Sequence, residues 1–599
     1  MGEVELAFPG ARYQTGASLR QKRAGFLYPL RLSSDLASMT TRGFLFLGTS
    51  TLALLALAGC KRDGSADPSA TLTTVSSAAV ESEGPPFEVS KTAKLAAIAM
   101  QANVYAKPSD QSKKLGYLRL GAVVPRSDKS FGNEGCAGEW YGVAPRGFVC
   151  VGKNATLEVE SPIVRAANVR PDTSKPLPYF YGFIRAVAPL YLRLPSKEES
   201  LTTEFKLAEH LGWWNRKGKE ANKADHLGAN DAAHEIIPDA KVQPPSTDMP
   251  DGVLLGGKSE ADPPPFWLET GVRKVPNVSG FDVPAASIFA NRVRRHTGLA
   301  FVGAFATGPQ FDNRRFALTV DMRLIPVDKV KPETASPFHG VELKGDVKLP
   351  VAFAKPCNPN AKGTPRPCVH TYRDEEGTLK KTTDVLATRG FLQLTGVQRK
   401  SKGGRFLEAK GGMWVNAKEV GVAVVPEEWP QAATRGEKWV DVSIEDQTLV
   451  LWEGKTPTFA TVVSSGQDGM EDPRKSKATP RGTFRIKSKH ITATMDSTGK
   501  SAQSGGAAPE SGESPTADDK HAGNFELRDV PYVQYFQDGY AMHSAYWHDH
   551  FGLARSHGCI NLAPIDALRV FRFTDPPVPE GWHGTNVDTG KGSSVVIHR

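Results

Sequence analysis

Cysteine is scarce in this chain, with six residues in 599. No two of them have the C-x2-C spacing of a zinc knuckle, so a structural zinc fold is not encoded. Long apolar runs are scarce too. The run Phe44 to Ala58 covers 15 positions, short of the roughly 20 a helix needs to cross a bilayer. Basic runs and aromatic-basic motifs are missing as well. The net charge of +9 is spread along the chain, which leaves no footprint for DNA or RNA. Trp547-His548-Asp549-His550 has no third spaced ligand beside it and reads as a polar loop, so no metal is expected.

Near the C-terminus the chain does carry chemistry. It runs Met542-His543-Ser544 and then Arg555-Ser556-His557-Gly558-Cys559-Ile560-Asn561. A cysteine is a strong nucleophile only as thiolate, so it needs an imidazole or helix N-terminus to lower its pKa and amide donors for the oxyanion. His543 is placed to take the proton, and the flexible Gly558 lets backbone N–H groups turn toward the carbonyl that Cys559 attacks. Upstream, Trp439 to Leu451 alternates like two strands around a turn, and a further run ends Val463-Ser464-Ser465-Gly466. Thr479-Pro480-Arg481-Gly482-Thr483-Phe484-Arg485-Ile486 follows as a Pro-Gly turn leading into a strand.

These segments, in this order, resemble the L,D-transpeptidase catalytic domain, or YkuD family, of bacterial cell-wall enzymes: the hairpin, the TPxGxF signature, the histidine and SHGCIN. The resemblance covers residues 437–599. It implies a β-sandwich with small helices, Cys559 as nucleophile and His543 as general base, oriented by the backbone carbonyl of Ser544. His557 and Gly558 would shape the turn and the oxyanion pocket. Asn561 stands where many members have arginine. Arg555, just before the motif, could then grip a substrate carboxylate, and Ser556 and Asn561 would also face substrate.

The implied reaction is two-step acyl transfer without a cofactor. Cys559 attacks the carbonyl before the terminal D-alanine of a peptidoglycan stem peptide and leaves a thioester. An amine of a second stem peptide gives a 3-3 crosslink, a protein lysine gives a protein–wall link, and water gives a carboxypeptidase. The competing expectation is a wall-binding scaffold that does no chemistry.

Arg42, the apolar run and Leu57-Ala58-Gly59-Cys60 resemble a bacterial lipoprotein signal, with Cys60 lipidated as the mature N-terminus. Residues 39–60 would be the signal, and residues 1–38 a non-native extension. Without residues 1–59 the chain loses six basic and three acidic residues and stays at +6. Lys61 follows the lipidated cysteine, which suits the outer rather than the inner membrane. A periplasmic, lipid-anchored protein is expected. With Cys60 lipidated and Cys559 catalytic, Cys136 with Cys150 and Cys357 with Cys368 remain as local pairs, disulfides in an oxidising compartment.

Length implies several domains. Residues 61–92, rich in Ser, Ala, Thr and Gly, form a tether able to reach roughly 100 Å at ~3.4 Å per residue. Short apolar runs broken by turns then suggest small β-barrels. Asn103 to Pro108, Leu120 to Val124 and Glu139 to Val143 resemble bacterial SH3-like domains. Similar starts and endings place three such units at 93–158, 178–333 and 345–425, the second with a long insertion. In that insertion Phe205, Leu207, Leu211 and Trp214 recur near helical spacing. Trp213, Trp214 and Trp267 read as ordinary core or rim residues. Thr494 to Gly523, dense in Ser, Gly and acidic residues, reads as an inserted surface loop. The class expected overall is mainly β.

Overall fold

A computed structural model describes residues 84–218, 255–357 apart from 260, 270, 279–282 and 285, 367–496 and 526–599. The extension 1–38, the apolar run, Cys60 and the tether up to residue 83 lie outside the described residues, as does most of the inserted loop from 497 onward. The chain is mainly β. Among the described residues no helix is long and apolar enough to cross a membrane.

The alternation at 438–453 forms the hairpin it predicts. Lys438–Ser443 and Thr448–Glu453 pair antiparallel from Lys438↔Glu453 to Ser443↔Thr448. Both faces of this hairpin are buried. Val440, Val442, Leu449 and Leu451 enter a core with Ile486, Val595 and Ile597, while Trp439, Val450 and Trp452 face a second core with Val351 and Phe353 from upstream. Trp439 and Trp452 stack with ring centres 5.4 Å apart. Two such rings bury about 200 Å² each, or about 5 kcal/mol per ring at ~25 cal/mol per Å² before entropy is counted.

That hairpin belongs to a six-stranded sheet with Val341–Glu342, Thr456–Val462, Ser594–His598 and Gly482–Arg485. The edge strand Val341–Glu342 pairs with Ala460 and Phe459, so this sheet recruits chain from well before residue 437. Against it packs the helix Pro564–Phe573, begun by Pro564 at a position where a missing N–H costs nothing. The helix buries Ala567, Leu568, Val570 and Phe571 in the same core. Its C-terminal carbonyls are met by Lys489, whose buried Nζ donates to Phe571 at 2.7 Å and Thr574 at 2.6 Å.

The opposite layer is part of a 16-stranded sheet that runs across the upstream regions. In its middle Ser488–Asp496 pairs with Glu526–Gln537 and with Gly584–Asn586. On one side Lys114–Leu118 joins through Gly116↔Thr585 and Tyr117↔Gly584. On the other Gly298–Ala306 joins at Gly298↔Leu527.

Here the sequence expectation of SH3-like barrels differs from what forms. None of the described sheets closes into a barrel. Strands from 94–156 divide between a three-stranded sheet and the long sheet, and those of 351–423 make an open seven-stranded sheet. Strands of 93–158 and 178–333 pair with the C-terminal region, whereas the 351–423 sheet pairs only within itself. The helix expected over Thr203 to Trp214 is also two helices, Lys197–Thr203 and Leu207–Trp213, separated by a turn in which Lys206 has φ 51°. Phe205 falls in that turn and is exposed. Trp267 is core, while Trp213 and Trp214 are half-buried. Cys136 is bonded to Cys150 and Cys357 to Cys368.

Candidate active site

Two short parallel strands hold the site. Tyr540–Ser544 pairs with Ile560–Leu562 through Met542↔Ile560, His543↔Asn561 and Ser544↔Leu562. Side chains alternate across the pair. Met542 and Ile560 go into the core, so His543 lies on the other face of its strand, and Cys559 stands in the turn immediately before Ile560.

His543 is buried, and its Nδ1 lies 2.9 Å from the carbonyl oxygen of Ser544. That carbonyl can only accept, so the proton sits on Nδ1 and Nε2 is left as the base. Burial pushes the His543 imidazole down to about 4, the Ser544 carbonyl opposing in part. The indole of Trp547 stacks on the ring at 5.7 Å. Ser544 is itself fully buried, so its hydroxyl is not at the open site.

Cys559 is the free thiol among the described cysteines and keeps part of its surface open. It packs on Leu527, Val530, Val533 and Ala541, with Phe183, Met495, Tyr535 and Trp547 around the same cluster. This apolar setting pushes the thiol up to about 11, with the Ala541 amide pulling the other way. The resting pair is therefore neutral thiol and neutral imidazole. That departs from the lowered thiol pKa expected from the sequence, because packing outweighs the single amide donor.

The turn before Cys559 is tightly specified. Gly558 has φ +119°, and a Cβ there would stand 2.6 Å from Tyr540 Cε1. Its amide donates to Ser556 Oγ at 3.0 Å, and the Ser556 hydroxyl in turn donates to the Cys559 carbonyl. The Gly558 N–H is thus used inside the turn, and Ser556, 5% exposed, is a turn brace with its hydroxyl turned inward. Thr479 of the TPxGxF segment donates to the Gly558 carbonyl. Ser464 exchanges two backbone bonds of 2.9 Å with Asn561, and the amides of Arg555 and Ser556 both donate to Ser465. The separate sequence segments thus converge on one turn.

The expectation of substrate contact changes for Asn561, as it does for Ser556. The Asn561 side chain is 4% exposed and lies 3.0 Å from His548 Nε2, so it braces the loop and does not face an open cleft. Arg555 is half-exposed, and His557 is exposed at the rim. The residues that sequence reasoning missed are Thr479, Trp547, His548 and Tyr540, whose hydroxyl donates to Pro473 at 3.1 Å. Thr479 carried a signal as part of a motif, and Trp547 and His548 stood in the segment read as a polar loop. Among the described residues no group of three or more His, Cys, Asp or Glu is placed to hold a metal.

With this geometry in view, the comparison with known families is decisive for one part of the chain. Residues 437–597 match YkuD, the L,D-transpeptidase catalytic domain. No curated protein matches the chain. Among solved structures it is similar to a mutant L,D-transpeptidase of Enterococcus faecium, at 19% identity over 27% of this chain and 49% of that one, TM-score 0.18. An L,D-transpeptidase from Xylanimonas cellulosilytica is 17% identical over 29% of this chain and 64% of that one, TM-score 0.18. L,D-transpeptidase 3 from Mycobacterium tuberculosis, in complex with a faropenem-derived adduct, is 18% identical over 34% and 78%, TM-score 0.19. This chain spans about half of the E. faecium protein's length. The YkuD domain thus accounts for the C-terminal quarter of the chain and supports an enzyme of the L,D-transpeptidase class.

Proposed function

We propose that this protein is a peptidoglycan L,D-transpeptidase that works by cysteine acyl transfer. The observation that carries the reading is the pairing of two strands that brings His543, its Nδ1 held by the Ser544 carbonyl, beside the turn ending at Cys559.

Starting from a neutral pair, the thiol proton passes to His543 Nε2 as sulfur attacks the carbonyl carbon before the terminal D-alanine. The tetrahedral centre collapses, the C–N bond breaks, and the leaving amine takes the proton from His543. The stem peptide remains as a thioester on Cys559. An acceptor amine then attacks the thioester, gives its proton to His543, and the sulfur leaves and is reprotonated. The acceptor is a second stem peptide in the 3-3 crosslinking reading, or a lysine of a wall-anchored protein. Burial of His543 favours the neutral base needed at the start of each half-reaction. A lipid anchor at Cys60, holding the protein on the periplasmic side and at the outer membrane in preference to the inner, would bring this site to the wall.

The test is intact-protein mass spectrometry of wild type and Cys559→Ala after incubation with disaccharide-tetrapeptide muropeptides, with the products analysed in parallel. A Cys559-dependent acyl adduct with D-alanine release is expected, together with crosslinked dimers. Release without dimers would assign water as acceptor, and a folded, reduced wild type giving neither adduct nor release would reject the reading.

A further inference from the structure

Arg389 comes from the open sheet upstream, in the turn before the strand Phe391–Ser401, yet it ends inside the catalytic region. Only 1% of it reaches solvent. Its own amide ties it to Ala354 at 2.9 Å, and its guanidinium lies 5.0 Å from the centre of the Phe338 ring. Nη1 donates to the Asp549 carbonyl at 2.9 Å and Nη2 to the Asp549 carboxylate at 2.8 Å. Both side chains of this ion pair are buried. Asp549 lies in the loop that joins His543 to Cys559.

From Asp549 the order passes to both members of the pair. On one side, Trp547, two residues back, stacks on His543. On the other, the His550 carbonyl accepts Ser464 Oγ at 3.1 Å, and the His550 amide donates to His548 Nδ1 at 3.2 Å. That donation leaves Nδ1 of His548 unprotonated, so the neutral ring carries its proton on Nε2 and must donate it. The Asn561 atom 3.0 Å away is Nδ2, and turning the carboxamide over, which leaves its shape unchanged, puts the accepting oxygen there. Asn561 is two residues from Cys559 and in register with His543.

A fully buried ion pair is a weak source of stability, since apolar groups of the same volume often do as well. What a planar guanidinium supplies is a fixed two-pronged geometry, here gripping a carboxylate and a carbonyl of the same residue. We propose that Arg389 is a positioning residue for His543 and Cys559, so that the sheet of residues 351–423 completes the catalytic centre. The inference rests on the acyl-transfer reading above for its purpose, but its geometry can be tested apart from it.

The probe is iodoacetamide, with alkylation of Cys559 in the full chain followed by peptide mass as a function of pH. His543→Ala defines a thiol without its base. Arg389→Met removes the clamp, and Arg389→Met combined with Asp549→Leu removes it while filling the space with apolar groups. The double variant carries the test if the single one loses its fold. Expected is a folded double variant whose Cys559 alkylates at least tenfold more slowly near pH 8, with a pH profile that coincides with that of His543→Ala. Arg389→Lys should recover part of the rate, because an ammonium reaches the carboxylate without gripping both oxygens. A folded double variant with the wild-type rate and profile overturns the proposal, as does a wild type whose alkylation is indifferent to His543→Ala. D-alanine release is read separately. Wild-type alkylation that depends on His543 and Arg389 without any release would reject the acyl-transfer reading and leave the clamp standing.

Discussion

Thr479 Oγ1 donates to the carbonyl of Gly558 at 2.9 Å and accepts the amide of Gly466 at 2.8 Å, so one buried hydroxyl joins three segments of the site. Thr479→Val keeps the shape and removes both bonds. Each stranded backbone group costs about 1–3 kcal/mol. Chemical denaturation should show a loss in that range or above, and acyl-adduct formation at Cys559 should slow with it. Wild-type stability in the valine variant would show that the turn relaxes onto other partners.

Gly558→Ala should act on chemistry more than on folding. The residue sits at φ +119°, where an L side chain is strained, and the added Cβ meets the Tyr540 ring. Adduct formation is expected to fall at least a hundredfold with circular dichroism unchanged. Combining it with Tyr540→Ala should restore little, since the ring clash is relieved and the backbone strain is not. Full recovery in the double variant would assign the defect to the ring alone.

Acid should destabilise the protein through its buried imidazoles. Burial holds His490 and His543 down to about 4, and His548 and His583 well below their ordinary value. The unfolded chain binds these protons near 6.5 and the folded chain does not, so stability rises with pH between about 4 and 6.5 and is lost as pH falls through that window. Each of the first two contributes at most about 3 kcal/mol. Asp566 opposes them: burial pushes its carboxyl up to about 6, so the folded state holds that proton and loses stability as pH rises from about 4 to 6. Urea midpoints at pH 4.5 and 7 measure the balance, with a higher midpoint expected at pH 7. His490→Gln should flatten the dependence.

Arg119 reaches from the 93–158 region to Asp529 at 2.6 Å, and also touches Thr492 at 3.1 Å and His583 at 3.0 Å. Asp529→Ala leaves a mostly buried guanidinium without its counter-charge, a loss of about 3–5 kcal/mol. Asp529→Asn should lose less, because asparagine accepts the residue's φ of +57° and keeps one acceptor. Denaturant titrations of the two variants separate these costs, and equal losses would mean that the charge contributes nothing.

The C-terminal quarter of the chain was legible because its signals are local. Alternation specified the 438–453 hairpin, and a glycine before a cysteine specified a turn whose backbone no other residue fits. What the sequence did not reveal is contact between distant edges. Arg389 and Asp549 are 160 positions apart, and nothing in either neighbourhood marks them as partners. Barrel closure is not found among the described sheets. Strand texture is encoded locally, whereas the choice between closing on itself and joining a neighbour depends on which edge lies closer in space. Asn561 was read as facing substrate, and its side chain is 4% exposed with its carboxamide against His548, a contact that spacing along the chain does not reveal.

The long sheet also redefines what a domain is in this protein. Hydrogen bonds pass without a break from Lys114–Leu118 through Gly584–Asn586 to Gly298–Ala306. A fragment starting at residue 437 would bare two flanking strands and the place held by Val341–Glu342, surfaces prone to pair with other chains. The strand Glu526–Gln537, which pairs with Tyr540–Ser544 beside the reactive centre, is thus also tied to upstream chain at Gly298.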